Sequence, residues 1–197
     1  MPEAAAADLR RVHAATPALL DGLCALLIDA VHGGASVGFL APLSPDTARR
    51  YWQTVLAALG DHLCLWVAEH EGAIVGSVQL ALCEKENGRH RAEVQKLFVL
   101  QRCRGQGIAS RLMQAVEAHA RASQRSTLVL DTLLDSPAEA VYRHLGWHKA
   151  GEIPAYAASP DGALHATVVY YKRLTLEAAD ADADADAISP APPETSP

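Results

Sequence analysis

No apolar run in this chain approaches the ~18 residues that a bilayer span requires. Its opening, MPEAAAADLRR, has no basic segment leading into an apolar one, so no secretory leader is expected. The four cysteines (Cys24, Cys64, Cys83 and Cys103) form no CxxC pair and no zinc-like spacing with histidine. No metal is therefore expected, and reduced, mostly buried thiols point to a cytoplasmic protein. Basic residues are missing beyond Arg173, where six acids follow: Glu177, Asp180, Asp182, Asp184, Asp186 and Glu194. The 17 acids before them balance 17 Lys and Arg. A neutral folded part has no overall attraction to nucleic acid or an anionic membrane, so neither is expected as a partner. Residues 175–197, an Ala-Asp repeat followed by PAPPETSP, lack side chains for a core and are expected to be a disordered tail. Residues 1–8 are expected to be a flexible start.

The 197 residues suffice for one domain, expected over 9–174. Residues 9–15 read as a first strand. Thr16-Pro17 and Ser44-Pro45 each pair an N-cap with proline at the first helical position, opening two helices. The first ends at His32-Gly33-Gly34 and the second near Gly60. Strands follow at Leu63–Ala68, Ala73–Cys83 and Arg91–Leu100, joined by turns short enough to make them antiparallel. Only then does the pattern become strand, helix, strand. Ile108, Leu112, Ala115, Val116 and His119 share one helical face, and 126–130 is a buried strand. Ser136-Pro137 opens a last helix to about Leu145, before strands near 147–153 and 165–174. The expected class is α+β (mixed α/β), a partly antiparallel sheet with helices against it.

The segment VLQRCRGQGIAS places two glycines where a strand runs into a helix. The first N–H groups of a helix are unpaired, and with the helix dipole they favour an anion. Gly105 and Gly107 let the backbone approach it, and Arg102 and Arg104 add charge suited to phosphate. GxxxxGK[ST] is missing. GxGxxG fits poorly because Ser110 holds the third glycine position, although Asp131 ends the next strand much as a ribose-binding acid does. Two or three antiparallel strands before the turn also argue against a doubly wound sheet. Arg102-Cys-Arg-Gly105-Gln-Gly107 fits a third pattern, Q/R-x-x-G-x-G/A.

That last pattern resembles the acyl-CoA pyrophosphate loop of the GNAT family of N-acetyltransferases. Arg91–Leu100 is similar to the family's fourth strand, which splays from its neighbour, and AEAVYRHLGW (138–147) to its later helix signature. The stretches VHGGASVGF (31–39), RAEVQKL (91–97) and PDGALH (160–165) resemble the tabtoxin-resistance acetyltransferase group within that family. The resemblance implies a GNAT fold and transfer of acetyl from acetyl-CoA to the amino group of a small polar molecule, as in toxin resistance. It also implies that Phe98 and Val99 main-chain groups hold the pantetheine, with a backbone N–H near Val99 polarising the carbonyl. Residues Arg102, Arg104, Gly105, Gln106, Gly107, Ile108 and Ala109 would hold the diphosphate. Many family members dimerise, so a homodimer is compatible, but no interface is specified.

Acetyl transfer needs a base for the amine, stabilisation of the carbonyl oxygen and a proton for the leaving thiolate. Glu93 is the first choice of base and Asp131 the second. Alternation puts Glu93 and Gln95 on one strand face and Val94 and Phe98 on the other, subject to any bulge. The competing readings are an ion pair of Glu93 with Arg91 or Lys96, and a turn cap for Asp131. Tyr142 is the candidate acid, against plain packing of a half-buried tyrosine. His32, Gly33 and Ser36 are candidates for the acceptor site, although histidine then glycine also reads as a helix C-cap. Tyr156, with Asp161 and His165, would close the pocket from the far side, while Pro-Asp-Gly is equally a turn. Acetylation of protein N-termini or lysines, and a non-catalytic acyl-CoA-binding module, stand as alternatives.

Overall fold

The structure, a computed structural model, describes residues 7–176; the acidic tail from 177 on and most of the expected flexible start lie outside the described residues. The chain forms β1 (Asp8–Arg11), α1 (Pro17–His32), α2 (Pro45–Ala57), β2 (Leu63–His70), β3 (Ala73–Leu82) and β4 (Arg91–Val99). Then come α3 (Ile108–Ala122), β5 (Thr127–Leu133), α4 (Pro137–His144), β6 (His148–Ala158) and β7 (Leu164–Arg173). One seven-stranded sheet has the order β1-β2-β3-β4-β5-β7-β6. Every ladder is antiparallel except β4–β5, so the expected mixed class is the observed one.

Two of the three expected helix starts are built by side-chain caps, whereas Ser136 at the start of α4 makes no cap bond. Thr16 accepts from the Leu19 amide and Ser44 from the Thr47 amide, each at 3.2 Å, with proline next in sequence. The first strand is shorter than expected and begins earlier. Its ladder on β2 ends at Arg11, because the chain must turn to bring Thr16 to the start of α1. Ala7 is already buried, and its carbonyl accepts from Arg111 at 2.6 Å, so the ordered domain starts ahead of residue 9. At the other end β6 runs past residue 153 to Ala158. Register shifts at Lys149/Gly151 and Ile153/Ala157, with Ala155 at φ 49°, let this edge strand resume beyond Pro154.

The core lies on both faces of the sheet. Leu23, Leu26, Leu27 and Trp52 are buried from α1 and α2, and Leu112, Met113 and Val116 from α3. Each such side chain contributes about 1.5–3 kcal/mol of transfer free energy. Lys172 of β7 donates to both carboxylate oxygens of the buried Glu117 of α3, at 2.7 and 2.8 Å, and to the Leu145 carbonyl at 2.7 Å. This triple contact clamps the second half of the sheet to α3. No helix among the described residues is long and apolar enough to cross a membrane.

The sheet opens at its one parallel ladder. β4 pairs with β5 only at Arg91–Glu93 against Thr127–Val129. Beyond that rung β4 continues on β3 as far as Val99, while β5 continues on β7 as far as Leu133. The two strands part and leave an open wedge whose walls carry unpaired main-chain groups.

Candidate active site

The glycine turn closes one end of the wedge. Gly105 and Gly107 both have φ 76°, and a Cβ at either would meet nothing within 4 Å. Gly107 caps α3 in the left-handed conformation with no side-chain cap bond, so the first amides of this 15-residue helix stay free. Those amides line a cradle that a side chain would fill, and a diphosphate fits them by charge and by space. Ile108 is buried against Gly76, where a Cβ would lie 3.0 Å from its Cγ2, and this fixes the helix start on the sheet. Gln106 is exposed and Ala109 half-buried beside it. Arg104 Nε donates to the Val99 carbonyl at 3.3 Å, which holds its guanidinium at the mouth of the wedge.

The two arginines do not act together. Arg102 lines a separate cavity of about 350 Å³ with Arg10, Asp29 and Glu69, under α1 and the β2–β3 turn. The β4 edge also divides the two residues expected to hold pantetheine. Leu100 N–H donates to the Val75 carbonyl at 2.9 Å, and Val99 lies opposite Gly76. Antiparallel alternation therefore turns the main-chain groups of Phe98 towards β3 and those of Val99 into the wedge. Val99 can serve a ligand there. Phe98, with its buried ring, supports the strand.

Across the wedge stand the two candidate carboxylates. Glu93 lies opposite Val129 at the last β4–β5 rung, and Asp131 follows two residues on, so both carboxylates share one sheet face. Both are exposed. Among the described residues neither forms an ion pair; Arg91 donates instead to Cys83 Sγ at 3.6 Å. Val94 and Phe98 are both buried, but they do not share a face: Val94 lies opposite Leu80 and Phe98 opposite Ser77, three residues apart on β3, because the strand bulges between them. The bulge sets Lys96 at φ 52° and sends Nζ to the Val37 carbonyl at 2.9 Å. Burial lowers the Lys96 pKa, while Asp131 and Glu93 oppose that shift.

Tyr142, on α4, is 6% exposed and packs between Trp147 and Tyr170, with ring centroids 6.1 Å from each. Burial raises its pKa strongly, and the charge of Asp131 adds to the rise. Its hydroxyl makes no hydrogen bond among the described residues. A tyrosine that keeps its proton and has nothing local to give it to can donate to a ligand.

The loop after α1 has a different build from the one its glycines suggest. His32 Nε2 accepts from the Leu43 amide at 3.2 Å, closing the base of the loop. Gly33 packs on Gln101, where a Cβ would lie 2.8 Å from Cδ and Nε2. Ser36 Oγ donates to the Ala158 carbonyl at 3.2 Å, and Ala41 N–H to the Pro160 carbonyl at 2.8 Å. Residues 36–41 are thus tied to the β6–β7 turn as a roof. Tyr156 is 57% exposed on β6 and has no bond to that roof. Asp161 accepts from the Ala163 amide at 3.1 Å, the turn reading of Pro-Asp-Gly, and His165 is exposed.

Three contributors escaped the sequence reading. Gln101 N–H donates to Asp29 Oδ2 at 2.9 Å and its Nε2 to the Asp29 carbonyl at 3.2 Å, which bolts the glycine turn to α1. Lys96, expected only as an ion-pair partner, enters the wedge because of its bulge. Neither an aspartate one turn before a helix end nor a lysine inside a strand carries a sequence signal for such a place.

A parted parallel pair beside a bare helix start, with acids and a protonated tyrosine nearby, defines the acyl-transferase class of mixed α/β folds. The Acetyltransferase (GNAT) family profile matches residues 27–147, well over half of the chain. An uncharacterized N-acetyltransferase from the hisH-hisA intergenic region of Azospirillum brasilense is 38% identical over 114 residues, 57% of this chain and 67% of its own. A ribosomal-protein-alanine N-acetyltransferase from Brucella melitensis shares the fold with TM-score 0.69 at 23% identity, over 85% of this chain and 99% of that one. A phosphinothricin acetyltransferase from Sinorhizobium meliloti, solved in complex with acetyl-CoA, has TM-score 0.69 at 20% identity, over 86% and 89% of the two chains. The chain belongs to the GNAT family and is an acetyltransferase of that type.

Proposed function

We propose that this protein transfers the acetyl group of acetyl-CoA to the amino group of a small polar molecule, a tabtoxin-like or other amino-acid toxin or antibiotic. One observation carries the reading: the free α3 amides over Gly105 and Gly107 open directly onto the wedge between β4 and β5. When bound, acetyl-CoA supplies the thioester that is the acyl donor. The α3 amides and Arg104 hold its diphosphate, and the Val99 N–H lies on the wedge edge, where it can donate to a developing oxyanion. Glu93 accepts the proton of the acceptor ammonium, with Asp131 as the second choice; an ammonium has no lone pair until that proton leaves. Tyr142 holds a proton on its hydroxyl for the departing sulfur. Holding donor and acceptor together supplies on the order of 7 kcal/mol or more of the barrier reduction.

The roof made by Ser36–Ala158 and Ala41–Pro160 supports a small acceptor over an extended peptide, which needs an open groove. Thiol release from acetyl-CoA against a panel of amines, including tabtoxin-like β-lactam amino acids and short peptides, tests the reading. Turnover with small amines is expected. Turnover with peptides alone would move the assignment to a protein N-acetyltransferase, and tight coenzyme binding without any turnover would leave a binding module.

A further inference from the structure

We propose that Lys96 recognises the carboxylate of the acceptor, so that the enzyme acts on amines carrying a free carboxyl group. The inference rests on the acetyltransferase reading above and names the substrate class within it.

Lys96 reaches the wedge through a local break in β4. The β3–β4 register passes from Ser77 opposite Phe98 to Gln79 opposite Gln95, so the single residue Val78 spans both Lys96 and Leu97. At this bulge Lys96 takes φ 52°, a left-handed conformation that disfavours any residue with a Cβ. Strain of this kind persists where the surrounding structure enforces it, and it concentrates at functional sites. Gln79, buried beneath the bulge, donates to the Tyr51 hydroxyl at 3.1 Å.

The ammonium is incompletely satisfied. It has three N–H donors, and one goes to the Val37 carbonyl. Among the described residues no carboxylate forms an ion pair with it. A half-buried ammonium held by a single carbonyl is costly unless an anion completes it. Gly38 leaves room for one: even a Cβ there would stay 3.8 Å from Nζ.

Its neighbours set the charge pattern. Glu93 and Asp131 both act on Lys96 electrostatically without contacting it, so the wedge holds two negative groups and one positive group. An amine with a carboxylate matches that pattern. Its ammonium lies towards Glu93 and Asp131, where the proton must leave, and its carboxylate lies towards the two spare donors of Lys96.

The competing role for Lys96 is a staple that only anchors the roof. Matched pairs separate the two: leucine against leucinamide, methionine against methioninamide and lysine against lysinamide, each assayed for thiol release with acetyl-CoA. The unmodified enzyme is expected to favour the free acid about tenfold or more in kcat/KM, the worth of one charge-assisted contact. Lys96→Gln is expected to bring that ratio close to one while the acetyl-CoA KM stays within about twofold, and Lys96→Arg to restore part of the preference. Equal use of acid and amide by the unmodified enzyme overturns the inference. So does a Lys96→Gln enzyme that loses activity equally on both members of each pair, which is the staple's signature. Amides then still turn over and the acetyltransferase reading survives, whereas absence of thiol release with every amine overturns both.

Discussion

The main-chain N–H of Gln101 donates to Asp29 Oδ2 at 2.9 Å, across 72 residues of sequence. A second bond from Gln101 Nε2 to the Asp29 carbonyl makes the contact two-pronged. It joins the last turn of α1, which carries the acceptor-side loop, to the residues that open the diphosphate cradle. Asp29→Ala removes the first bond and frees the cradle to shift. At about 0.5–1.5 kcal/mol per hydrogen bond, coenzyme A affinity is expected to fall roughly threefold to tenfold. Isothermal titration of the variant with coenzyme A measures it; unchanged affinity would mean that the cradle holds its shape alone.

Gly107→Ala places a methyl group in the cradle and imposes φ 76° on a residue with a Cβ. The backbone conformation alone costs about 1–2 kcal/mol. Coenzyme A binding is expected to weaken at least about tenfold, because the methyl group also occupies the anion's space. Calorimetry reads the affinity, and a melting curve reads the smaller loss of stability. Full affinity in the Gly107→Ala variant would place the diphosphate elsewhere.

Of the two carboxylates, Glu93 stands at the last rung before the strands part. Glu93→Gln is expected to lower kcat by about 100-fold or more, the usual worth of a positioned base. Asp131→Asn is expected to have the smaller effect. The reverse ranking, measured across pH with one good acceptor, would make Asp131 the base.

Tyr142 yields a prediction about stability as well as rate. Burial raises its folded pKa above the ordinary 10, and Asp131 raises it further. A group with a raised folded pKa contributes its stability fully below the unfolded value and loses it as pH climbs towards the folded one. Melting temperature is therefore expected to drop as pH passes about 10, and Tyr142→Phe to flatten part of that drop. At neutral pH the same variant is expected to lose about 100-fold in kcat, since the proton donor is gone with the hydroxyl. Full turnover in Tyr142→Phe would remove the acid role.

Lys172→Met takes both short bonds from the buried Glu117 carboxylate and leaves it only the longer contact with Arg121, at 3.7 Å. Breaking such a pair from one side costs about 3–5 kcal/mol, and at roughly 2–4 °C per kcal/mol the melting temperature is expected to fall by several degrees or more. Differential scanning calorimetry checks it. Lys172→Met combined with Glu117→Leu is expected to recover much of the loss.

The local grammar of this chain is written in its sequence. Thr16-Pro17 and Ser44-Pro45 open helices because a cap and a fixed φ act within three or four residues, and Ser136-Pro137 opens α4 with the proline alone, its hydroxyl making no cap bond. Gly105 and Gly107 announce a bare helix start for the same reason: a left-handed residue without a side chain is a property of one position. The order of strands and helices, and with it the mixed sheet, follows from period and turn length. Glu93 and Asp131 share one sheet face and Tyr142 is buried on α4, placements that the pairing of distant strands and the packing of α4 supply.

What only the folded chain decided is how edges and neighbours divide these groups. Arg102 and Arg104 are two residues apart, yet one faces a cavity under α1 and the other the wedge. Phe98 and Val99 are adjacent, yet hydrogen-bond alternation gives the wedge to Val99 alone. His32 closes the base of its loop, Gly33 packs on Gln101, Ser36 ties the roof to β6, and Lys96 is turned inward by a bulge. Propensity acts over a few residues along the chain, whereas the direction of an amide or an ammonium is set by partners dozens of residues away. That is why the sequence determined which elements form and the tertiary structure determined which of their groups face the wedge.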